Sequence, residues 1–474
     1  MIDEKGMENE YCHSGEHIGP ERIEKEIAYC IPTYNRPDIM EQVLGKFLPI
    51  LQNKGMDIYI YDSSVNKETL NIVENFIQKG IKNLYYVRID PGIEVDEKLI
   101  MLLSGYGLQY SYNYIWMVKD RCYVEEETLK VILEETKKGY DAIFLSSGYA
   151  DRPDKEANSI VYLQREKFYA DWGWLASSMN CTLFRVESLL AGMDWNEFRD
   201  RYFFDGVNLF EHFTVLFHGL AQKESVSVGV ICGEVSKFGE INIGEDYWTR
   251  ERFQVWGKLW MEINNAFPSC YDEYKADVIH RATNLSWLFG SHTQLVKFRK
   301  QGTLTEQDYE EMKDRWPLLS SVPKEEFKMI ACGQLKECKE AILNRINSLL
   351  QEENYQELEK LYWFNSWIRE EENSAEYIFF GLCLEIYKYE KEEMSQGNIF
   401  YHVWSYQAGI QKVRYISEML VKLEYNIDQE SWDGFKEFVM NNRVSEECLV
   451  FLINRCCAEK EQVIDKVADL LEGR

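Results

Sequence analysis

Four stretches of the chain set chemically capable residues beside apolar patterns. In residues 112–124, YNYIWMVKDRCYV, a hydrophobic run ends in Lys119, Asp120 and Arg121, followed by Cys122. Asp120 is the lone carboxylate there, and with substrate phosphates it can complete the shell of Mg2+ or Mn2+. Residues i and i+2 at a strand end face the same way, so its natural co-ligand position is that of Cys122. A thiol is a poor ligand for these hard ions. Lys119 and Arg121 offer positive charge instead, and arginine suits bidentate contact with phosphate. In residues 31–38, IPTYNRPD, the chain passes Pro32, Thr33, Tyr34, Asn35 and Arg36 into a helical pattern. Such a loop presents backbone N–H groups and a helix start to an anion. In residues 61–70, YDSSVNKETL, Asp62 and Ser64 follow a further apolar run, where a carboxylate can accept a hydrogen bond from a base N–H. In residues 208–221, NLFEHFTVLFHGLA, Glu211 and His212 open a helical stripe of Phe210, Phe213, Phe217 and Leu220.

The elements that must position these residues are legible from periodicity. IAYCIP, DIYIYD, NLYYVRI, YIWMV and DAIFL read as strands. Between them, Ile39, Val43, Phe47 and Leu51 recur at helical spacing, as do Leu70, Val73, Phe76 and Ile77. A third stripe, Leu99, Leu102, Leu103, Tyr106 and Tyr110, predicts a helix before YIWMV. Strands alternating with helices imply an α/β fold with a mostly parallel sheet covered on both faces. Ligands of such sheets bind beyond the carboxyl ends of the strands, where the polar residues above lie.

The chain has 474 residues, long enough for more than one core. Three regions are expected: a polar lead-in over 1–26, an α/β domain over 27–303 and an all-helical domain over 304–474. Residues 271–302 read as a helix carrying Trp287, Leu288 and Phe289, then Lys297, Arg299 and Lys300. The formal charge is −27, which excludes general nucleic-acid binding. Twelve scattered cysteines without a CxxC pair fit reduced thiols. With no apolar leader and no run of about 20 apolar residues, a cytoplasmic chain with at most peripheral membrane contact is expected.

In order, IPTYNRP, IYDSSVNKET and YNYIWMVKDRCYV resemble the motifs of glycosyltransferase family 2, which has the GT-A fold. The resemblance covers about residues 27–281. AFPSCYDEYKADVI is similar to a segment in family members that build surface polysaccharides. The resemblance implies transfer of a sugar from a nucleotide sugar, a UDP-sugar as the commonest donor, with inversion at the anomeric carbon. The acceptor hydroxyl would belong to a glycan, a lipid-linked carrier or a protein. It implies that residues 32–36, Asp62, Ser64 and Asp120 hold the nucleotide, and that Lys98 reaches the diphosphate. Mg2+ or Mn2+ is the expected cofactor, although the acidic motif is incomplete.

Inversion needs a general base. Glu211 is the first candidate, His212 stands where the second acid of the family motif falls, and Asp205 is third. Trp172 and Trp174, in YADWGWLASSMN, are candidates for stacking on an acceptor sugar. The helical C-terminal half would serve oligomerisation or acceptor docking. The competing expectation is a catalytically degraded GT-A scaffold that binds a nucleotide or partner. A nucleotidyltransferase would want a Gly-rich phosphate loop after the first strand, where none stands.

Overall fold

A computed structural model of the chain describes residues 24–51, 55–147, 159–242, 251–352 and 354–368, and shorter stretches between 415 and 467. The expected lead-in lies almost wholly outside the described residues. The chain divides into two compact units between Ala282 and Thr283.

The first unit is built on an eight-stranded sheet. Its parallel half runs β3 (Leu84–Arg88), β2 (Met56–Asp62), β1 (Glu24–Thr33) and β4 (Ser111–Met117). Beyond β4 lie β8 (Thr182–Arg185), β6 (Ala142–Leu145), β9 (Val228–Ile231) and β7 (Ser159–Tyr162). There β8 is antiparallel to both its neighbours, and β7 is antiparallel to β9. A short ribbon pairs β5 (Cys122–Val124) with β10 (Phe238–Glu240). The α/β, mostly parallel reading is met. The five strands read from the sequence are present, and the four-residue strands β7, β8 and β9 are additional.

Both faces of β1 and β2 are covered. Ile27 to Ile31 are fully buried, and every residue of β2 is buried. This explains their continuous apolar runs, since a strand buried on two faces has no polar alternation to show. Helix α1 (Pro37–Leu51) places Met40, Val43, Leu44, Phe47, Leu48 and Leu51 in this core. Helices α2 (Glu68–Gln78) and α3 (Val95–Leu103) follow β2 and β3. Helix α3 stops short of Tyr106 and Tyr110 because Gly105 and Gly107 turn the chain at φ of 79° and 77°.

Register sets the site. Thr33 pairs with Asp62 across β1 and β2, and Cys30 pairs with Met117 across β1 and β4. Val118 N–H donates to Cys30 O at 3.0 Å and continues that register. Asp62, Thr33 and Asp120 therefore come level at the carboxyl ends of three adjacent strands.

The second unit is helical, with no strand among its described residues. The helix expected over 271–302 is two helices, Asp272–Thr283 and His292–Lys300. The turn between them depends on Gly290, where a Cβ would stand 1.9 Å from Asn284 O. Leu288 and Phe289 are buried in this turn, whereas Trp287 is exposed. The 303 boundary read from the sequence thus lies within the second unit. Trp316 and Phe327 stack at 3.6 Å in its core. Among the described residues no helix is long and apolar enough to cross a membrane.

Candidate functional site

The loop after β1 is tied to the loop after β2. Asn35 has φ of 52°, a left-handed conformation that asparagine tolerates better than most residues. Its N–H donates to Ser64 Oγ at 2.7 Å, and its Oδ1 accepts from Val65 N–H at 3.1 Å. Ser64 passes the chain inward by donating both its N–H, at 2.8 Å, and its hydroxyl to Asp62 Oδ1. Asp62 Oδ2 accepts from Tyr86 OH at 2.8 Å, and Arg88 lies 3.6 Å away. Asp62 is fully buried. Both its oxygens are engaged by the protein, so in this conformation it shapes the two loops rather than presenting a free acceptor.

Asp120 sits on the other side of Thr33. Thr33 Oγ1 donates to Asp120 Oδ2 at 3.2 Å. Arg36 Nη1 donates to Oδ1 at 3.1 Å and reaches Oδ2 at 3.4 Å. The Asp120 side chain is 9% exposed and that of Arg36 is 41% exposed, so the pair runs from the protein interior to solvent. Tyr34, between Thr33 and Asn35, is 50% exposed. An aromatic ring with that much free surface beside a strand end can stack on a planar ligand.

Lys98, near the start of α3, reaches under the same strand end. Its ammonium donates to Thr33 O at 3.0 Å and to Ser63 Oγ at 2.9 Å. Burial pushes its pKa down to about 8, against the opposing pull of Asp62 and Asp120, with Arg36 adding to the drop. Lys98 is thus no solvated helix lysine.

The cations beside Asp120 part company. Arg121 forms an ion pair with Glu240 on β10, and its side chain is 18% exposed. Its expected contact with a diphosphate is corrected accordingly, because the guanidinium is already committed to the β5–β10 ribbon. Lys119 stays half-buried. Its backbone N–H is held by Asn180 Oδ1 at 2.8 Å. Asn180 also donates from Nδ2 to Cys122 Sγ at 3.1 Å, and its carbonyl accepts from Trp116 Nε1 at 2.8 Å. This one residue fixes both ends of the Lys119–Cys122 turn, and nothing in its local sequence marks it out.

The metal expectation meets a donor set that does not fit. Asp120 is the one hard anionic donor in the turn, and Arg36 and Thr33 occupy its oxygens. Cys122 is buried, and burial pushes its thiol up to about 11, which keeps it protonated. Among the described residues no three His, Cys, Asp or Glu side chains gather as a metal cluster.

The helix α4 (Glu211–Ala221) is buried on all sides rather than along one stripe. Its entry is organised by Asp96 of α3, whose oxygens accept from the N–H groups of Asn208 and Leu209, each at 3.0 Å. Leu209 is held at φ of 60°, an uncommon conformation for a leucine. Asn208 Oδ1 then accepts from Phe210 N–H at 2.8 Å. Glu211 is fully buried with no hydrogen-bond partner for either carboxyl oxygen. Burial raises its pKa well above the usual carboxylate range, and the neighbouring Asp96 carboxyl adds to the rise, first through hydrogen bonding and then through its charge. Closed off from solvent, the carboxyl meets no acceptor in this conformation, which weakens the first choice of base.

His212 is buried as well, its Nδ1 closed to solvent. Its Nε2–H donates to Ser177 O at 2.8 Å, which leaves Nδ1 as a lone-pair acceptor with no hydrogen-bond partner. Burial lowers its pKa to about 4, the nearby Lys119 charge adding to the fall while the Ser177 bond opposes it. The ring is therefore neutral at ordinary pH. The side chain of Asp205, the third candidate, is 93% exposed and 3.8 Å from Lys258. The residue occupies a turn at φ of 53° before Gly206.

Trp172 and Trp174 are also corrected. Trp172 is fully buried, donates from Nε1 to Tyr162 OH at 3.1 Å and packs on Phe144. Trp174 is buried, donates to Asp171 O at 2.9 Å and lies under the Arg281 guanidinium at 5.0 Å. Neither ring has a free face for a sugar.

No protein-family model matches the chain, and no curated protein matches it. Among solved structures it is similar to residues 1–349 of S. aureus TarS, at 14% identity over 61% of this chain and 84% of that one, with a TM-score of 0.36. It is similar to the mannosyltransferase PcManGT from Pyrobaculum calidifontis in complex with GDP-Man and Mn2+, at 11% identity over 55% and 73% of the two chains, TM-score 0.34. It is also similar to glucosyl-3-phosphoglycerate synthase from Mycobacterium tuberculosis in complex with Mn2+, UDP and phosphoglyceric acid, at 11% identity over 52% and 80%, TM-score 0.33. The first unit, with its polar residues gathered at the strand ends around Thr33, has the mostly parallel α/β architecture expected from the sequence.

Proposed function

We propose that this chain is an inverting glycosyltransferase that takes a sugar from a nucleotide-diphosphate donor to an acceptor hydroxyl. The observation that carries the reading is the level row of Asp62, Thr33 and Asp120, with Lys98 beneath it and Arg36 at its mouth. Two cations suit a diphosphate. The exposed Tyr34 ring offers a platform for the base.

His212, where the second acid of the family motif falls, is the base in this reading, and its buried Nδ1 must open to the acceptor for that step. Its tautomer is set by Ser177, and its Nδ1 lone pair stands on the helix that Asp96 joins to α3. It would take the proton of the acceptor hydroxyl as that oxygen attacks the anomeric carbon and the nucleoside diphosphate leaves. A glycan, lipid-linked or protein acceptor in surface-glycan or glycoconjugate synthesis is consistent with the sequence resemblance. The helical unit is assigned acceptor docking or self-association.

The test is to incubate the protein with UDP-, GDP- and CMP-sugars and to follow release of the nucleotide, with NMR of the anomeric proton in the product. Release with opposite anomeric configuration is the expected result. Nucleotide binding without any turnover, with acceptors of all three kinds supplied, would instead favour the scaffold reading.

A further inference from the structure

We propose that the Arg36 guanidinium, anchored on Asp120, takes the place of a divalent ion, so that this chain binds its nucleoside diphosphate without metal. The inference rests on the nucleotide-sugar reading of the same site. It starts from the mismatch between that site and Mg2+ or Mn2+. A divalent ion at Asp120 would have to displace Arg36, which contacts both carboxylate oxygens, and Thr33, which donates to one of them. The next position on that face holds a buried thiol that accepts from Asn180, not a second carboxylate.

Arg36 has what the replacement needs. Asp120 uses Nη1 alone, and the other guanidinium N–H groups have no protein acceptor among the described residues. The side chain is partly open to solvent while its anchor is buried. A guanidinium fixed in this way offers phosphate oxygens a planar fork with little further entropy to lose. Lys98 supplies a second positive charge from below Thr33. Asp120 is then a positioning residue for Arg36, which accounts for a single carboxylate being enough at this strand end.

The experiment is calorimetry of the full chain with UDP and GDP, in EDTA and again with Mn2+, alongside Arg36→Gln. The expected result is binding of one nucleotide in EDTA, changed by no more than about three-fold by Mn2+. Arg36→Gln should weaken that binding by about ten-fold or more, the scale of a lost charge-assisted hydrogen bond. The wild-type comparison does not depend on whether the variant folds. Binding only with Mn2+ overturns the inference and leaves the nucleotide reading standing. Metal-free binding that Arg36→Gln leaves intact overturns the role of Arg36. No binding of either nucleotide under both conditions removes the donor reading, and the inference with it.

Discussion

Thr33 donates its hydroxyl to Asp120 while its carbonyl accepts from Lys98, so one strand-end residue joins the carboxylate of β4 to the buried ammonium of α3. These bonds make the proposed nucleotide site a property of three elements at once, and a change in any of them should be felt at the others.

Replacing Asp120 by alanine should separate binding from folding. Arg36 and Thr33 each lose a partner, but Arg36 can turn to solvent. The stability loss should be about 1–3 kcal/mol, the cost of orphaning a buried donor. Nucleotide affinity should fall about ten-fold or more. Thermal unfolding and calorimetry on the same preparation check both. Unchanged affinity would remove Asp120 from the site.

Lys98 predicts a pH dependence. Its pKa is down to about 8, so its positive charge is present below that value and fades above it. Affinity for a nucleoside diphosphate should decline as pH rises through 8, and Lys98→Met should flatten the profile. Stability moves the other way. Above 8 the unfolded chain, with Lys98 near 10.5, holds more protons than the folded one. Stability from this group therefore rises with pH over that window. Titration of Kd and of the unfolding midpoint against pH would show opposite slopes.

His212→Ala should lower kcat by about 10²- to 10⁴-fold, the usual contribution of a general base, with donor KM little changed. A folded state that keeps His212 neutral down to about 4 predicts no loss of activity from this group between pH 5 and 7. Initial rates across that range test it. A rise in KM with kcat intact would make His212 a binding residue instead.

Glu211→Gln replaces a carboxyl pushed toward its protonated form by a neutral amide of similar shape. Activity should stay within a few-fold, about one kcal/mol or less in transition-state terms. The folded state holds the Glu211 proton more tightly than the unfolded state does. The wild-type chain thus loses stability from this group as pH rises above the ordinary glutamate range, and the variant should not. A collapse of kcat in Glu211→Gln, with folding intact, would return the role of base to Glu211.

The parts of the site legible in the sequence are those at strand ends. IPTYNRP, YDSS and VKDR each announce a buried strand giving way to polar residues, and Asp62, Thr33 and Asp120 come together because the strands are adjacent and parallel. Asn180, Asp96 and Asn208 were not legible. Each acts across long separations in the chain, from Asn180 to Lys119 and from Asp96 to Asn208, and nothing local in MNCTL, EVDEK or GVNLF marks that role. The tryptophans were misread for a related reason: WGW looks the same in sequence whether its rings line a cleft or fill a core. Asp205 shows the converse, a carboxylate near the right helix that the turn at Gly206 leaves in solvent.

The central claim is that Asp62, Thr33 and Asp120 frame one nucleoside-diphosphate site. Its most direct test is a titration of the wild-type chain with UDP and with uridine, repeated on Asp120→Ala. The account predicts saturable binding of the diphosphate, weaker binding of the nucleoside, and a loss in the variant confined to the diphosphate. Equal affinity for UDP and uridine, or an Asp120→Ala chain that binds UDP as tightly as the wild type, would contradict it.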